Sequence, residues 1–168
     1  NQLMDYRRAE LGVFELKAKK GNAHQLIQDN FLFYDKLARH KKITYTLHSE
    51  LEDKEVLFDA NYLELIVNNL LSNAFKYTES GQSITVTLKE ENGWLLLQVS
   101  DTGIGIPINK QGKIFERFYQ IDNDMTQSNF GTGIGLHLSR SLVELHHGII
   151  KAENREDGQG TRFIIRLP

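Results

Sequence analysis

At 168 residues, 40% hydrophobic and 25% charged, the chain has the make-up of one ordinary globular domain. Its formal net charge of −2 gives no bulk attraction to nucleic acid or anionic lipid, so direct nucleic-acid binding is not expected. The lack of cysteine excludes thiol catalysis, cysteine zinc sites and disulfides. No apolar run reaches the roughly 18 residues that a membrane-spanning helix requires.

In chain order, residues 1–11 have helical composition and end at Gly12; NQLMDYRRAELG reads as the tail of something longer. VFELKAKKG is read as a short strand followed by a basic turn. Asn22 with Gln25 resembles a capping box. Ile27, Phe31, Tyr34 and Ala38 then recur at helical spacing, which predicts one helix to about His40. ITYTL (43–47) alternates as a half-buried strand, and VLFD (56–59) is another. Asp59 or Asn61 can cap the following helix, whose apolar stripe is Leu63, Ile66, Val67, Leu70, Leu71 and Ala74. SITVTLKEENGWLLLQVSD predicts a hairpin turning at Asn92-Gly93. Residues 101–135 are glycine-rich, with one helical island, KIFERFYQ. A third helix is predicted from about Thr132, along Ile134, Leu138, Leu142 and Leu145, with Gly148 as its C′ glycine. IIKAEN and TRFIIRL close the chain as strands. The interleaving predicts an α/β fold: a two-layer sandwich with a mixed sheet and helices on one face.

Polar residues interrupt this pattern in informative places. Asn69 and Asn73 are four apart and share a helix face. A lone asparagine is ordinarily solvated or bonded locally, but the amide oxygen of Asn73 is a hard donor that suits Mg²⁺. Lys76 can meet phosphate and Tyr77 can cover a flat ring, both one turn later. DTGIGI (101–106) follows a strand. Its Gly103 and Gly105 permit close approach to backbone, and ionised Asp101 is acceptor-only, fitting an exocyclic amine; alone, a tight turn explains it equally well. GTGIGL (131–136) opens a helix, where free N–H groups make an anion site. Its G-x-G-x-G spacing and the lack of a preceding strand argue against a dinucleotide fingerprint. GQGTRF (158–163) is most simply a hairpin turn. His146 and His147 are adjacent on a helix and point apart, which argues against a shared metal.

The order NNLLSNAFKYT, DTGIGI, IFERFYQ, GTGIGL, GQGTRF resembles the N, G1, F, G2 and G3 boxes of bacterial sensor histidine kinases, over residues 22–168. The resemblance implies the ATP-binding sandwich shared with gyrase-type and Hsp90-type ATPases, acting on MgATP. It implies Asn73 as the Mg²⁺ ligand, with Asn69, Lys76 and Tyr77 lining the site, Lys76 near phosphate and Tyr77 against adenine. Asp101 would accept from the adenine amine, aided by Gly103, Gly105 and Thr161. Gly131, Gly133, Gly135 and Leu136 would lie where a lid, residues 121–130, meets the phosphates; its polar composition predicts ordering only on nucleotide binding. Many members carry an arginine where this chain has Gln120, and Arg117 is the candidate substitute at the γ-phosphate. Hydrolases of the superfamily and serine kinases of the anti-sigma type have a glutamate base where this chain has Asn69, and an amide cannot take a proton. That favours transfer to histidine.

Residues 1–20 are expected to be the end of a dimerisation hairpin and linker, and 21–168 the catalytic domain. None of the six histidines is followed by an acid, so the phosphoacceptor is expected outside this chain. The resemblance further implies a response regulator receiver domain as downstream partner and a monomeric isolated domain from a homodimeric parent. It places the domain in the cytoplasm, the parent in the inner membrane. Two rivals stand beside this reading: a nucleotide-binding interaction module, and a hydrolase.

Overall fold

The structure, a computed structural model, describes residues 4, 7, 8, 11–116, 135–156 and 158–168. Its elements run β1 (Lys19–Gly21), α1 (Ala23–Phe33), α2 (Asp35–Lys41), β2 (Thr44–Ser49), β3 (Val56–Phe58), α3 (Ala60–Tyr77), β4 (Ser83–Glu91), β5 (Trp94–Asp101), α4 (Gly135–Leu145), β6 (Ile149–Asn154) and β7 (Thr161–Leu167). Five strands form a sheet in the order β2-β4-β5-β7-β6. Only β2 and β4 pair in parallel, so the sheet is mixed, as expected.

Alternation fixes the two faces. On β4, buried Ile84, Val86 and Leu88 alternate with half-buried Thr85, Thr87 and Lys89. Opposite them on β5 stand Asp101, Val99 and Leu97, and β7 continues the layer with Phe163 and Ile165. The hairpin turns at Asn92 (φ 54°) and Gly93 (φ 83°), two consecutive left-handed residues that match the twist of the strands. Helix α3 covers this layer with Leu63, Ile66, Val67, Leu70, Leu71 and Ala74, all at most 1% exposed. It packs beside α1 and α4. Truncating such a residue, Leu70 for instance, costs about 2–5 kcal/mol.

Three boundaries differ from the sequence reading. The expected single helix to His40 breaks at Tyr34, because Tyr34 turns its ring onto Phe75 of α3 (centroids 5.3 Å apart, stacked) and its hydroxyl toward the Asn68 amide. The strand expected at the start of VFELKAKKG forms later, at Lys19–Gly21, antiparallel to β3. Earlier residues of that stretch are drawn to α3 instead: the Lys17 amide donates to Asp59 Oδ2 (2.8 Å) and the Tyr62 hydroxyl to the Glu15 carbonyl (2.9 Å). At the end of α4, His147 rather than Gly148 takes the left-handed C′ position (φ 60°), and Gly148 N reaches back to Val143 O as the next residue of a Schellman turn. Gly148 is glycine for another reason, since a Cβ there would lie 2.3 Å from the Arg166 carbonyl.

Helix caps follow the chemistry of their residues. Asn22 Oδ1 accepts from Gln25 N (3.0 Å), but Gln25 sends its amide to Asp29, so only half of the expected box forms. Asp59, not Asn61, caps α3 through Tyr62 N (3.2 Å). At the other end, the Lys41 ammonium donates to the carbonyls of Phe75 and Thr78, satisfying helix-terminal acceptors beside Lys76 and Tyr77. The segment 113–116 of the predicted helical island runs as successive turns, with Ile114 and Phe115 buried; its remainder lies outside the described residues.

Candidate functional site

Strand β5 delivers Asp101 to the sheet's end at 4% exposure. Its Oδ1 accepts from the backbone amides of Gly103 (2.9 Å) and Thr161 (3.3 Å), the latter opening β7. Burial pushes the carboxyl above its usual value of 3.8, opposed by these two N–H groups and by the Arg155 charge. Both of these amide donors fall on Oδ1, and neither reaches Oδ2.

Two glycines keep this corner clear. A Cβ on Gly103 would sit 2.2 Å from the Tyr77 carbonyl, so the end of α3 and the loop after β5 can meet only through glycine. On Gly160 (φ 93°) it would sit 1.9 Å from the Asp101 carbonyl. Gly160 was not singled out from the sequence; its signal is the second glycine of GQG, which by itself reads as a hairpin turn. Gly105 takes φ 75° and faces Gly160 O. The expected partners Asp101, Gly103, Gly105 and Thr161 are therefore in one place, Thr161 through its backbone.

Helix α3 brings the amides. Asn69, 5% exposed, donates through Nδ2 to Gly135 O (3.1 Å) and Ser139 Oγ (3.2 Å). The Gly135 carbonyl forces that orientation of the amide. Asn69 thus ties α3 to the first turn of α4 from beneath, a structural duty the reading of it as a lining residue did not contain; Ser139, 0% exposed, was missed because a serine inside an apolar helix stripe carries no signal of its own. Asn73 is half-buried one turn later. Lys76 stands 5.3 Å from the centroid of the half-buried Tyr77 ring, and partial burial lowers its ammonium below the usual lysine value. A nearby phosphate would favour the charged form. Half-buried Leu136 packs against the core. Arg117, Gln120, the segment 121–130, Gly131 and Gly133 lie outside the described residues.

His146 is explained without a ligand. Its Nε2 accepts from the Asp59 amide (3.1 Å), so Nδ1 carries the proton and donates to Leu142 O (2.8 Å). Among the described residues no three His, Asp or Glu side chains gather as a metal cluster. The one metal donor proposed from the sequence, the amide oxygen of Asn73, suits an ion held chiefly by phosphate oxygens and water, as Mg²⁺ commonly is.

The profile of the "Histidine kinase-, DNA gyrase B-, and HSP90-like ATPase" family matches residues 58–168, from the end of β3 to the last residue. This chain belongs to that family. Within it, the chain is a histidine kinase ATP-binding catalytic domain. It is similar to Histidine kinase P4 of Formosa agariphila (34% identical over 171 residues) and to the circadian input-output histidine kinase CikA of Synechococcus elongatus (35% over 170). Each alignment covers 100% of this chain but only 12% and 22% of those proteins, so the chain spans a small part of its relatives. Among solved structures, the nucleotide-free catalytic domain of histidine kinase ThkA superposes with a TM-score of 0.79 at 27% identity, covering 90% of this chain and 97% of that one. Full-length ShkA in complex with AMPPNP shares the fold, with a TM-score of 0.87 at 24% identity over 100% of this chain and 34% of that one.

Proposed function

We propose that this domain binds MgATP and transfers its γ-phosphoryl group to a histidine on a dimerisation hairpin. The observation that carries the reading is the pairing of a buried, backbone-anchored Asp101 with an Asn69 whose amide nitrogen is committed to α4. The first is an adenine-amine acceptor. The second occupies the place of a general base and cannot serve as one, which disfavours water as the acceptor of the phosphoryl group. A neutral imidazole needs no base to attack phosphorus.

The residues divide the work. Asp101 Oδ2 receives the adenine amine, with Tyr77 against the ring and Gly103, Gly105 and Thr161 beside it. Asn73 is the protein ligand for Mg²⁺, which would supply charge neutralisation at the phosphates. Lys76 is placed to pair with phosphate oxygens as a point charge. Arg117 is proposed to replace, at the γ-phosphate, the arginine that many family members carry where this chain has Gln120, and Gly131, Gly133 and Gly135 take the helix-terminus roles of the family pattern. Catalysis of this kind is positioning and electrostatics rather than proton transfer.

Residues 1–20 are proposed as the end of the hairpin and its linker; Lys19–Gly21 forms strand β1 against β3. A response regulator is proposed as the next acceptor, supported by the solved complex of ThkA with response regulator protein TrrA, a fold relative of this chain (TM-score 0.79, 24% identical over 99% of this chain and 47% of that one). The domain is placed in the cytoplasm and its parent, a homodimer, in the inner membrane. Incubation of this chain with γ-labelled ATP, Mg²⁺ and a supplied kinase hairpin should give acid-labile, base-stable label on the hairpin. Steady phosphate release without hairpin labelling would show a hydrolase instead, and nucleotide binding with neither would show an interaction module.

A further inference from the structure

Lys76 and Tyr77, the proposed phosphate and adenine contacts of α3, are the last two residues of that helix. The final carbonyls of a helix find no donors within it. Helices α2 and α4 solve this locally: each ends on a left-handed residue, Lys42 and His147, whose amide reaches back to a carbonyl of its own last turn. Thr78 instead leaves α3 extended (φ −108°, ψ 131°), so the chain runs on without turning back over those carbonyls. The donor comes from another element. Lys41, the last residue of α2, donates from Nζ to Phe75 O and to Thr78 O (3.0 Å), the two carbonyls that bracket Lys76 and Tyr77.

We propose that Lys41 is a positioning residue for nucleotide binding: its ammonium closes the last turn of α3 from outside and holds Lys76 and Tyr77 in the geometry that phosphate and adenine require. The inference rests on the reading of those two residues as nucleotide contacts. An ammonium suits the task, because it brings three donors to two acceptors and its charge is favourable at the negative end of a helix. The same junction also fixes the chain just beyond. Gly81 N donates to Lys42 O (3.0 Å), and Thr44 N, opening β2, donates to Gln82 O (3.0 Å).

The loop after β5 makes this turn a place where small displacements matter. A Cβ on Gly103 would sit 2.2 Å from Tyr77 O, and Gly103 N is bonded to Asp101 Oδ1. The end of α3 therefore abuts the loop that carries the proposed amine acceptor. Without the ammonium the last turn is free to fray, as an uncapped helix end does. Each nucleotide that binds must then order the Tyr77 ring and the Lys76 side chain anew. Ordering the backbone of one residue corresponds to roughly a five- to thirtyfold loss of affinity.

The test is AMPPNP binding with Mg²⁺ present, measured by calorimetry on the whole chain. Lys41→Met, which keeps the aliphatic stem and removes the donors, should weaken binding by that same factor, and Lys41→Arg should recover most of the loss. In the nucleotide-free chain, Lys41→Met should speed hydrogen exchange at the amides of Lys76, Tyr77 and Thr78 and leave the first turns of α3 as in the parent. A double-mutant cycle decides between positioning and a cap alone. In a Tyr77→Leu background the further loss from Lys41→Met should shrink to less than about threefold, because the ring it holds is gone. Faster exchange with the affinity of the parent, or a Lys41→Met loss that adds in full to that of Tyr77→Leu, would overturn the proposal. Lys41→Gln, which keeps one amide donor, carries the same cycle where Lys41→Met does not fold. Failure of the underlying reading shows separately: Tyr77→Leu and Lys76→Gln would each bind AMPPNP as the parent does, and the proposal falls with it.

Discussion

Asp101 is where recognition and stability oppose each other. Its folded carboxyl lies above 3.8, so the native state binds its proton more tightly than the unfolded chain does. The cost of holding it ionised is absent below 3.8, grows as pH rises through the raised folded value, and is fully present above that value. Asp101→Asn removes the cost and keeps an oxygen for Gly103 N and Thr161 N. The nucleotide-free variant should therefore melt no lower than the parent at pH 7, which calorimetry checks; a fall of several degrees would mean that the charge itself holds the fold. The same variant presents an NH₂ where the amine needs an acceptor. Loss of a hydrogen bond to a charged group costs about 1.5–3 kcal/mol, so adenine nucleotides should bind roughly 10- to 150-fold more weakly, with GTP affected less.

Among elements, α3 and α4 are joined at two levels. Near the nucleotide end, Asn69 donates to Gly135 O and Ser139 Oγ. Asn69→Ala leaves a buried hydroxyl and a part-buried carbonyl without that donor, and should cost about 1–3 kcal/mol in denaturant unfolding. Far from the nucleotide, Asp59 caps α3 with Oδ1, holds Lys17 N with Oδ2 and donates its own amide to His146 after α4. Phe14 adds an edge contact to the Tyr62 ring (centroids 5.2 Å). Asp59→Ala should lose about 0.5–2 kcal/mol for the cap alone, a drop of roughly 1–8 °C in melting temperature. It should also raise hydrogen exchange at Lys17 and Tyr62 before the rest of α3; uniform exchange across α3 would show that the linker is not separately anchored.

For the whole molecule, the absence of an acid after any histidine has a direct consequence. The chain incubated alone with MgATP should accumulate no phosphohistidine, and mass spectrometry finding stoichiometric modification of His24, His137 or any other histidine would refute this. The largest side chains at under 2% exposure, among them Ile66, Leu70, Leu97 and Phe163, are already covered by the chain's own elements. On the proposal that the parent dimerises through its hairpin, a monomer is expected in sedimentation, and a dimer that persists on dilution would contradict it.

Periodicity alone determined the helix at 60–77, the hairpin at 83–101 and the closing strands, because burial on one face imposes a 3.6- or two-residue pattern that the chain must display. The glycine-rich boxes taken singly read as turns, and only their resemblance in order to a known family grouped Asp101, Gly103, Gly105 and Thr161. Other features depended on partners remote in the chain. Tyr34 breaks a helix that local propensity would continue, because its ring is better buried on Phe75, 41 positions on. His147 takes a left-handed conformation because Gly148 is reserved for the Arg166 carbonyl. Gly160, Ser139, Lys41 and the engagement of Asn69 are equally invisible in sequence, since each is defined by a contact across elements and none by its neighbours. Local pattern records which face of an element is buried; only tertiary packing decides which polar atom meets which, and that meeting sets the ionisation and reach of Asp101.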